Sequence, residues 1–352
     1  MTQPTTLAPP LVVVGASAGG VEALRELAAG LPSDLGACVL VVLHVPAASR
    51  SALPSILDRS GPLPARHAEH GDELVAGHIL VAPPDHHVVV LGERLVLTHG
   101  PHENGHRPAV DVLFRSASRS HGPRVFGMVL SGSLDDGAAG MVAVTSRGGV
   151  GAVQDFDEAL YAGMPMAAAR AAEVEHVVPV GAMPKLVAEW LPTVPSVVTG
   201  EPTRLMDMET EMSELSPEAM HDLERPGRPA GFGCPDCAGS LYEIEEGRLV
   251  RFRCRVGHAW SPESLLESQG VALESALWMA LRSLEEKAAL NTQLGQRAHD
   301  SGHPQTAARF STNAQDALAA AEHVRRLVQE IGSRPGGHLP SDGGPETSSG
   351  LP

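Results

Sequence analysis

A chain of 352 residues, 43% of them hydrophobic, is long enough to bury one α/β-sized core and at least one smaller unit. Its net charge of −16 argues against a duplex-DNA binder, because affinity for phosphate backbones comes from Lys and Arg. No run of about twenty apolar residues exists, and residues 1–10 carry neither a basic n-region nor a long apolar h-region, so no membrane span and no secretory signal is expected and the location is expected to be cytoplasmic.

After the 1–10 leader, Leu-Val-Val-Val at 11–14 reads as a buried strand that stops in Gly15-Ala16-Ser17-Ala18-Gly19. Small residues are needed where a strand reverses into a helix, and Val21, Leu24, Leu27 and Ala28 give that helix its apolar stripe. The turn fits the G-x-S-x-G nucleophile elbow, with Ser17 at its tip and Ala18 supplying a backbone N–H. A phosphate cradle and a plain structural turn stay open on this motif alone. A dinucleotide site is disfavoured, since the next strand, Cys38–Leu43, is followed by His44 rather than by an acidic residue.

Residues 65–98 read as an antiparallel insertion with short strands at 79–82, 87–91 and 94–98 and a Gly92-Glu93 turn. A helix over 109–120 comes next, then a buried strand at 125–131, a tight turn containing Asp135 and Asp136, and further strand and helix segments to residue 192. The alternation predicts a doubly wound, mostly parallel α/β sheet over 11–195. Ser17, His44 and Asp136 each come just after a predicted strand, and in such sheets those ends converge on one crevice. A serine needs a base and the base needs an orienting carboxylate, so the three form a candidate triad. Asp136 is preferred to Asp135 from its place before Gly-Ala-Ala-Gly; Asp111 reads as a helix-start anchor and Cys38 as core; His86 and His87 could alternatively join His44 in a metal site.

Residues 196–229, rich in Pro, Glu, Met and Ser, read as a linker between the α/β domain and a cysteine-bearing module. In that module, Cys234-x2-Cys237 and Cys254-x3-His258 give two closely spaced ligand pairs suited to tetrahedral Zn²⁺ over 230–261. Four protein ligands leave no open position for water, so the expected metal is structural and none is expected in catalysis. Arg248, Arg251, Arg253 and Arg255 make this module locally basic, open to nucleic acid or, better matched to the acidic chain, to an acidic helical partner. Residues 262–331 read as a helical hairpin broken at Gly302-His303-Pro304, and 332–352 as a disordered tail.

Residues 11–192 resemble the catalytic domain of the CheB-type chemotaxis protein-glutamate methylesterases. The stretches that carry the resemblance are Val14-Gly-Ala-Ser-Ala-Gly-Gly20, Leu43-His-Val-Pro46, Gly71-Asp72 with Pro83-Pro-Asp-His86, Arg107-Pro-Ala-Val-Asp-Val-Leu-Phe114, Asp136-Gly-Ala-Ala-Gly140 and Gly163-Met-Pro165. The resemblance implies Ser17 as nucleophile, His44 as base and Asp136 as its orienting acid. It also implies hydrolysis of glutamate methyl esters on chemoreceptor-type helical proteins, with glutamine deamidation as a second activity. Two departures stand out. The family's Gly-Met-Gly, whose Met contributes backbone near the oxyanion, is here Gly132-Ser133-Leu134, which makes Ser133 the candidate, and ten residues before the first strand leave no room for the family's receiver domain. Residues 230–261 resemble the zinc-ribbon appendix of receiver-less homologues. The competing expectation is a catalytically weak signalling module that binds a protein partner.

Overall fold

The computed structural model describes residues 8–221 and 227–332. The start of the 1–10 leader and the 332–352 tail from residue 333 lie outside them. The chain begins with β1 (Leu11–Ala16), α1 (Gly20–Gly30), β2 (Cys38–Leu43), α2 (Leu53–Ser60), β3 (Ala65–His67) and β4 (Ile79–Val81). A hairpin of β5 (His87–Leu91) and β6 (Arg94–Thr98) leads to α3 (Val110–His121), β7 (Val125–Val129), α4 (Ala138–Ser146), β8 (Val150–Gln154), α5 (Gly163–Ala172), β9 (His176–Val178) and α6 (Met183–Trp190). Seven strands form one sheet in the order β3-β4-β2-β1-β7-β8-β9, with every pairing parallel.

Every residue of β1 and β2 is buried, as expected for strands covered on both faces. Successive side chains go to opposite layers: Val12 and Val14 pack with Leu24, Leu27, Met183 and Val187 of α1 and α6, while Leu11 and Val13 pack with Leu113, Phe114, Met141 and Ala168 of α3, α4 and α5. The chain builds outward from β1 through β2 on one side and resumes at β7 on the other, so the crevice where connections diverge opens at the C-terminal ends of β1 and β7. The expected antiparallel insertion over 65–98 needs correction. β3 and β4 extend the parallel sheet and only β5 with β6 is antiparallel. Three-residue strands are too short to show a period, which is why their membership could not be read from pattern.

The 196–229 linker is also corrected. It contains α7 (Arg204–Ser213), capped by Thr203, whose hydroxyl accepts the Met206 N–H at 3.2 Å, and α8 (Pro217–His221). The buried face of α7 carries Met206 and Met212 beside Glu209, Thr210 and Ser213. A helix that buries a carboxylate shows no clean apolar stripe. Glu209 is held by Arg251 at 2.6 Å and by Arg253 at 3.1 Å, and Glu103 by Arg115 at 2.6 Å and Arg253 at 3.1 Å, which joins α7, the segment before α3 and the next module in one buried ionic cluster.

That module is an antiparallel sheet of β10 (Arg228–Gly233), β11 (Ser240–Glu246), β12 (Leu249–Cys254) and β13 (Ala259–Trp260) around Leu241, Phe252, Trp260 and Leu265. Two of its four arginines are missing from the basic patch expected of them, because Arg251 and Arg253 are spent on buried glutamates, and Arg248 faces Glu173 at 3.2 Å. Nor does a linker hold it away from the sheet: Asn104 N–H donates to Ala259 O at 2.8 Å and Ala259 N–H to His102 O at 3.2 Å. The chain then enters α9 (Pro262–Asp300) and, after a turn with Gly302 at φ 75°, α10 (Pro304–Gly332). Residues 267–332 form a separate unit, in which Leu281, Ala288, Ala314, Ala317, Ala321 and Val328 are buried and Arg325 pairs with Glu285 at 2.7 Å.

Candidate active site

Ser17 lies in the turn between β1 and α1, where Gly19 adopts φ 74°, a conformation costly for any side-chain-bearing residue. Its N–H donates to Ser131 O after β7, and Gly20 N–H returns to Ser17 O, both at 2.9 Å. His44 is placed by the parallel register of β2 on β1, its N–H donating to Ala16 O at 3.1 Å. The ring is stacked on His106, with centroids 3.7 Å apart and planes inclined by 15°. Nε2–H of His44 donates to Asp136 Oδ2 at 2.7 Å. Nδ1 is buried and has no hydrogen-bond partner among the described residues, Ser17 Oγ included. A proton fixed on Nε2 leaves Nδ1 as the acceptor, and base–nucleophile hydrogen bonds commonly tighten only when substrate closes the site.

Asp136 is 1% exposed, yet it is surrounded by donors. Val110 N–H reaches Oδ2 at 2.6 Å; Asp111 N–H at 3.2 Å, Gly137 N–H at 3.1 Å and Asn104 Nδ2 at 3.2 Å reach Oδ1. Burial alone would raise its pKa, but the His44 hydrogen bond and charge, with the Val110 N–H, bring it down to about 2. The neighbouring carboxylate goes the other way. Burial and then the charge of Asp136 push Asp111 well above the usual range, and Asp111 Oδ1 accepts Gly137 N–H at 2.9 Å and Gly140 N–H at 2.6 Å at the start of α4, the anchoring role expected of it. Asp135 does not meet His44. It accepts the Ser261 hydroxyl at 2.8 Å, and burial first, then the charge of Glu263, raises its pKa to about 7.

The Gly132–Leu134 loop rests against Ser17. Gly132 N–H donates to Tyr161 O and Met164 N–H to Gly132 O, both at 2.9 Å. A Cβ at Gly132 would stand 2.1 Å from Met164 Sδ and 2.9 Å from Ser17 Cβ, so only glycine fits. Ser133 is exposed at the loop tip and Ala18 is exposed beside Ser17. Ser131 locks the floor, its hydroxyl donating to Ala18 O at 2.7 Å and its N–H to Gln154 Oε1 at 2.8 Å.

The alternative histidine metal site does not form, because His87 donates Nε2–H to Pro101 O at 3.0 Å and accepts Ala109 N–H on Nδ1 at 3.2 Å. Both nitrogens are spent, and burial drives its pKa down to about 4. Burial likewise pushes the Cys38 thiol up to about 12, which suits a core residue. Cys234, Cys237, Cys254 and His258 bring four ligand atoms within 4.8 Å of one another. Cys237 Sγ is 3.7 Å from Cys254 Sγ, and Cys254 Sγ is 3.5 Å from His258 Nδ1. Tetrahedral zinc with its usual bond lengths requires about 3.8 Å between two sulfurs and about 3.6 Å between sulfur and nitrogen, whereas a disulfide needs about 2.05 Å, so the residues fit the metal. Asp236 faces the other nitrogen of His258 at 3.6 Å, as carboxylates behind metal-bound histidines do.

Sequence reasoning passed over Asn104, His106, Ser261 and Ser264 as site residues. The Asn104-Gly105 pair signals a turn, and Asn104 has φ 52°, but nothing local shows that its amide reaches two carboxylates.

Residues 12–187 match the family model described as CheB methylesterase. The chain is 36% identical over 185 residues to protein-glutamate methylesterase/protein-glutamine glutaminase 1 of Geobacter metallireducens, a match covering 51% of each chain. It is 37% identical over 173 residues to the protein of the same description in Xanthomonas campestris pv. campestris, covering 48% of each. The chain thus spans about half the length of the curated relatives it matches. Among solved structures, the Thermotoga maritima CheB methylesterase catalytic domain aligns with TM-score 0.51 and 27% identity, over 52% of this chain and 99% of that one. With a buried His–Asp pair beside a serine elbow and half the chain matched in order, the chain belongs to the CheB methylesterase family.

Proposed function

We propose that the chain is a serine esterase that hydrolyses glutamate methyl esters on chemoreceptor-type helical proteins, and that it deamidates glutamines by the same acyl chemistry. The observation that carries this is the 2.7 Å bond from His44 Nε2–H to Asp136, which fixes the tautomer and leaves Nδ1 as base on the side of the imidazole away from the carboxylate. Ser17 Oγ attacks the ester carbonyl while its proton passes to His44 Nδ1. Asp136 stabilises the imidazolium. The oxyanion is held by the N–H groups of Ala18 and Ser133, the former aided by the N-terminus of α1. Collapse breaks the bond to methoxide, which leaves as methanol with the His44 proton, or as ammonia from a glutamine. Water then attacks the acyl-serine, giving its proton to Nδ1; the acyl bond to Oγ breaks, Oγ takes that proton back, and glutamate and free Ser17 are released.

Cys234, Cys237, Cys254 and His258 would hold a structural Zn²⁺, which would order the ribbon and supply no open position for catalysis. Thiols kept as ligands rather than disulfides suit a reducing cytoplasm. Among the described residues no helix is long and apolar enough to cross a membrane. Methanol release from a methylated receptor fragment tests the function: wild type should release it and Ser17→Ala should not, and equal rates would end the esterase reading.

A further inference from the structure

We propose that Asn104 is a positioning residue through which the C-terminal ribbon sets the orientation of Asp136, an inference that rests on the serine-esterase reading. The Asn104 side chain is buried between the α/β domain and the ribbon. Its Nδ2 donates to Asp136 Oδ1 at 3.2 Å and to Asp111 Oδ2 at 3.0 Å, while its Oδ1 accepts the Ser261 N–H at 2.9 Å and the Ser264 hydroxyl at 3.1 Å. Both amide hydrogens meet carboxylates and the oxygen meets two donors. A flipped amide would set NH₂ against N–H and oxygen against carboxylate, so the orientation is fixed by its partners on both sides.

The ribbon end of this strut is itself rigid. Ser261 caps α9 by accepting the Ser264 N–H at 2.9 Å, and its hydroxyl donates to Asp135 Oδ1 at 2.8 Å, one residue before Asp136. The backbone is tied as well, through Asn104 N–H on Ala259 O at 2.8 Å, and next to it Glu103 is gripped by Arg253 of β12 at 3.1 Å. The remaining donors to Asp136 besides His44 are backbone groups at the starts of α3 and α4. Asn104 is the donor that also answers to the ribbon. The module beyond the α/β domain therefore belongs to the supporting shell of the triad, and the catalytic carboxylate is held from two sides.

The test uses the full metal-loaded chain, p-nitrophenyl acetate as substrate, and kcat per active site titrated to completion with an organophosphonate. Asn104→Gly deletes the strut while keeping a residue that accepts φ 52°. Ser261→Ala/Ser264→Ala leaves Asn104 on Asp136 and on the Ser261 N–H, but removes the Ser264 hydroxyl from its Oδ1 and the Ser261 hydroxyl from Asp135. Misplacing a catalytic group by about 1 Å costs about 100-fold, so Asn104→Gly should lower kcat per site by about 10- to 100-fold and the double variant by about tenfold, each with KM within about twofold of wild type. Unchanged kcat per site in either folded variant overturns the proposal. So does a loss confined to the number of titratable sites, which is what a purely structural role would give. Should Asn104→Gly not fold, the double variant decides alone. Ser17→Ala in the same assay keeps the two questions apart, since a normal rate there refutes the esterase and not the strut.

Discussion

Replacing Asp136 by asparagine changes one atom, and the structure leaves no good place for it. If the new NH₂ takes the position of Oδ2, it faces the Val110 N–H at 2.6 Å and His44 Nε2 at 2.7 Å. The imidazole can then be accommodated only by moving its own proton to Nδ1, which removes the base. If the NH₂ takes the position of Oδ1, it meets three donors, the N–H groups of Asp111 and Gly137 and the Asn104 amide; the Asp111 N–H and the Asn104 hydrogen lose their acceptor, and the Gly137 N–H keeps only Asp111 Oδ1 at 2.9 Å. The same substitution in a serine protease triad preserves geometry, fixes the wrong tautomer and costs about 10⁴ in kcat, or about 5 kcal/mol of transition-state stabilisation. We expect that magnitude for Asp136→Asn in hydrolysis of p-nitrophenyl acetate, against a loss below about tenfold for Asp135→Asn, whose side chain is bonded to Ser261 rather than His44. If Asp136→Asn retained a tenth of wild-type kcat, or if the two variants were equally impaired, Asp136 would not be the orienting acid.

Stability, loop geometry and metal content respond to other residues. Asp135 has a folded pKa raised to about 7, so the stability it supports is complete below its unfolded pKa and is lost as pH rises through about 4 to 7, by up to about 4 kcal/mol; the urea stability of Asp135→Asn relative to wild type should improve by that order from pH 4 to pH 8, and a gap constant with pH would contradict the assignment. Glu209→Ala strips Arg251 of its buried partner, leaves Arg253 only Glu103, and should cost about 3–5 kcal/mol in urea denaturation, whereas a loss under about 1 kcal/mol would mean that water already reaches the cluster. Gly132→Ala drives a methyl into Met164 and Ser17, and kcat on a small ester should fall by about 100-fold with the fold retained by circular dichroism; normal turnover would show that the loop is free to move. Elemental analysis should find one zinc per chain and none in Cys234→Ser/Cys237→Ser, and zinc retained by that variant would place it elsewhere.

The legible parts of this chain were those governed by short-range rules. Fully apolar strands disclose a parallel sheet, and the topology of such sheets brings His44 and Asp136 together without any sequence proximity, with Ser17 at the end of the adjacent strand. What escaped were residues whose significance is set by partners far along the chain. Glu209 looks like a linker glutamate until Arg251 and Arg253 are folded onto it, and Ser261 looks like an ordinary helix cap until Asp135 is found 126 residues away. Ion pairs replacing apolar contacts also erase the periodicity that would have revealed α7, so composition suggested a spacer where the structure has a wedge.

The contrast between Asp111 and Asp136 explains how two adjacent buried carboxylates coexist. Both are fully enclosed and share the Asn104 amide, and two unscreened negative charges at this separation could not both be kept at little cost. Asp136 gains the hydrogen bond of His44 in addition to its backbone donors, so its charge is the one retained. Asp111 sees that charge, is pushed upward, and is left to hold the N-terminus of α4 through Gly137 and Gly140. The carboxylate that keeps its charge is therefore selected by the histidine, and the other secures the turn on which the first one sits. Since the backbone donors to Asp136 come from the starts of α3 and α4, its place depends on how these helices pack on one face of the sheet, with Asn104 on its other side, while His44 is set by the register of β2 on β1. The two halves of the pair thus depend on different parts of the core, and a bond of 2.7 Å between them requires both to be packed correctly.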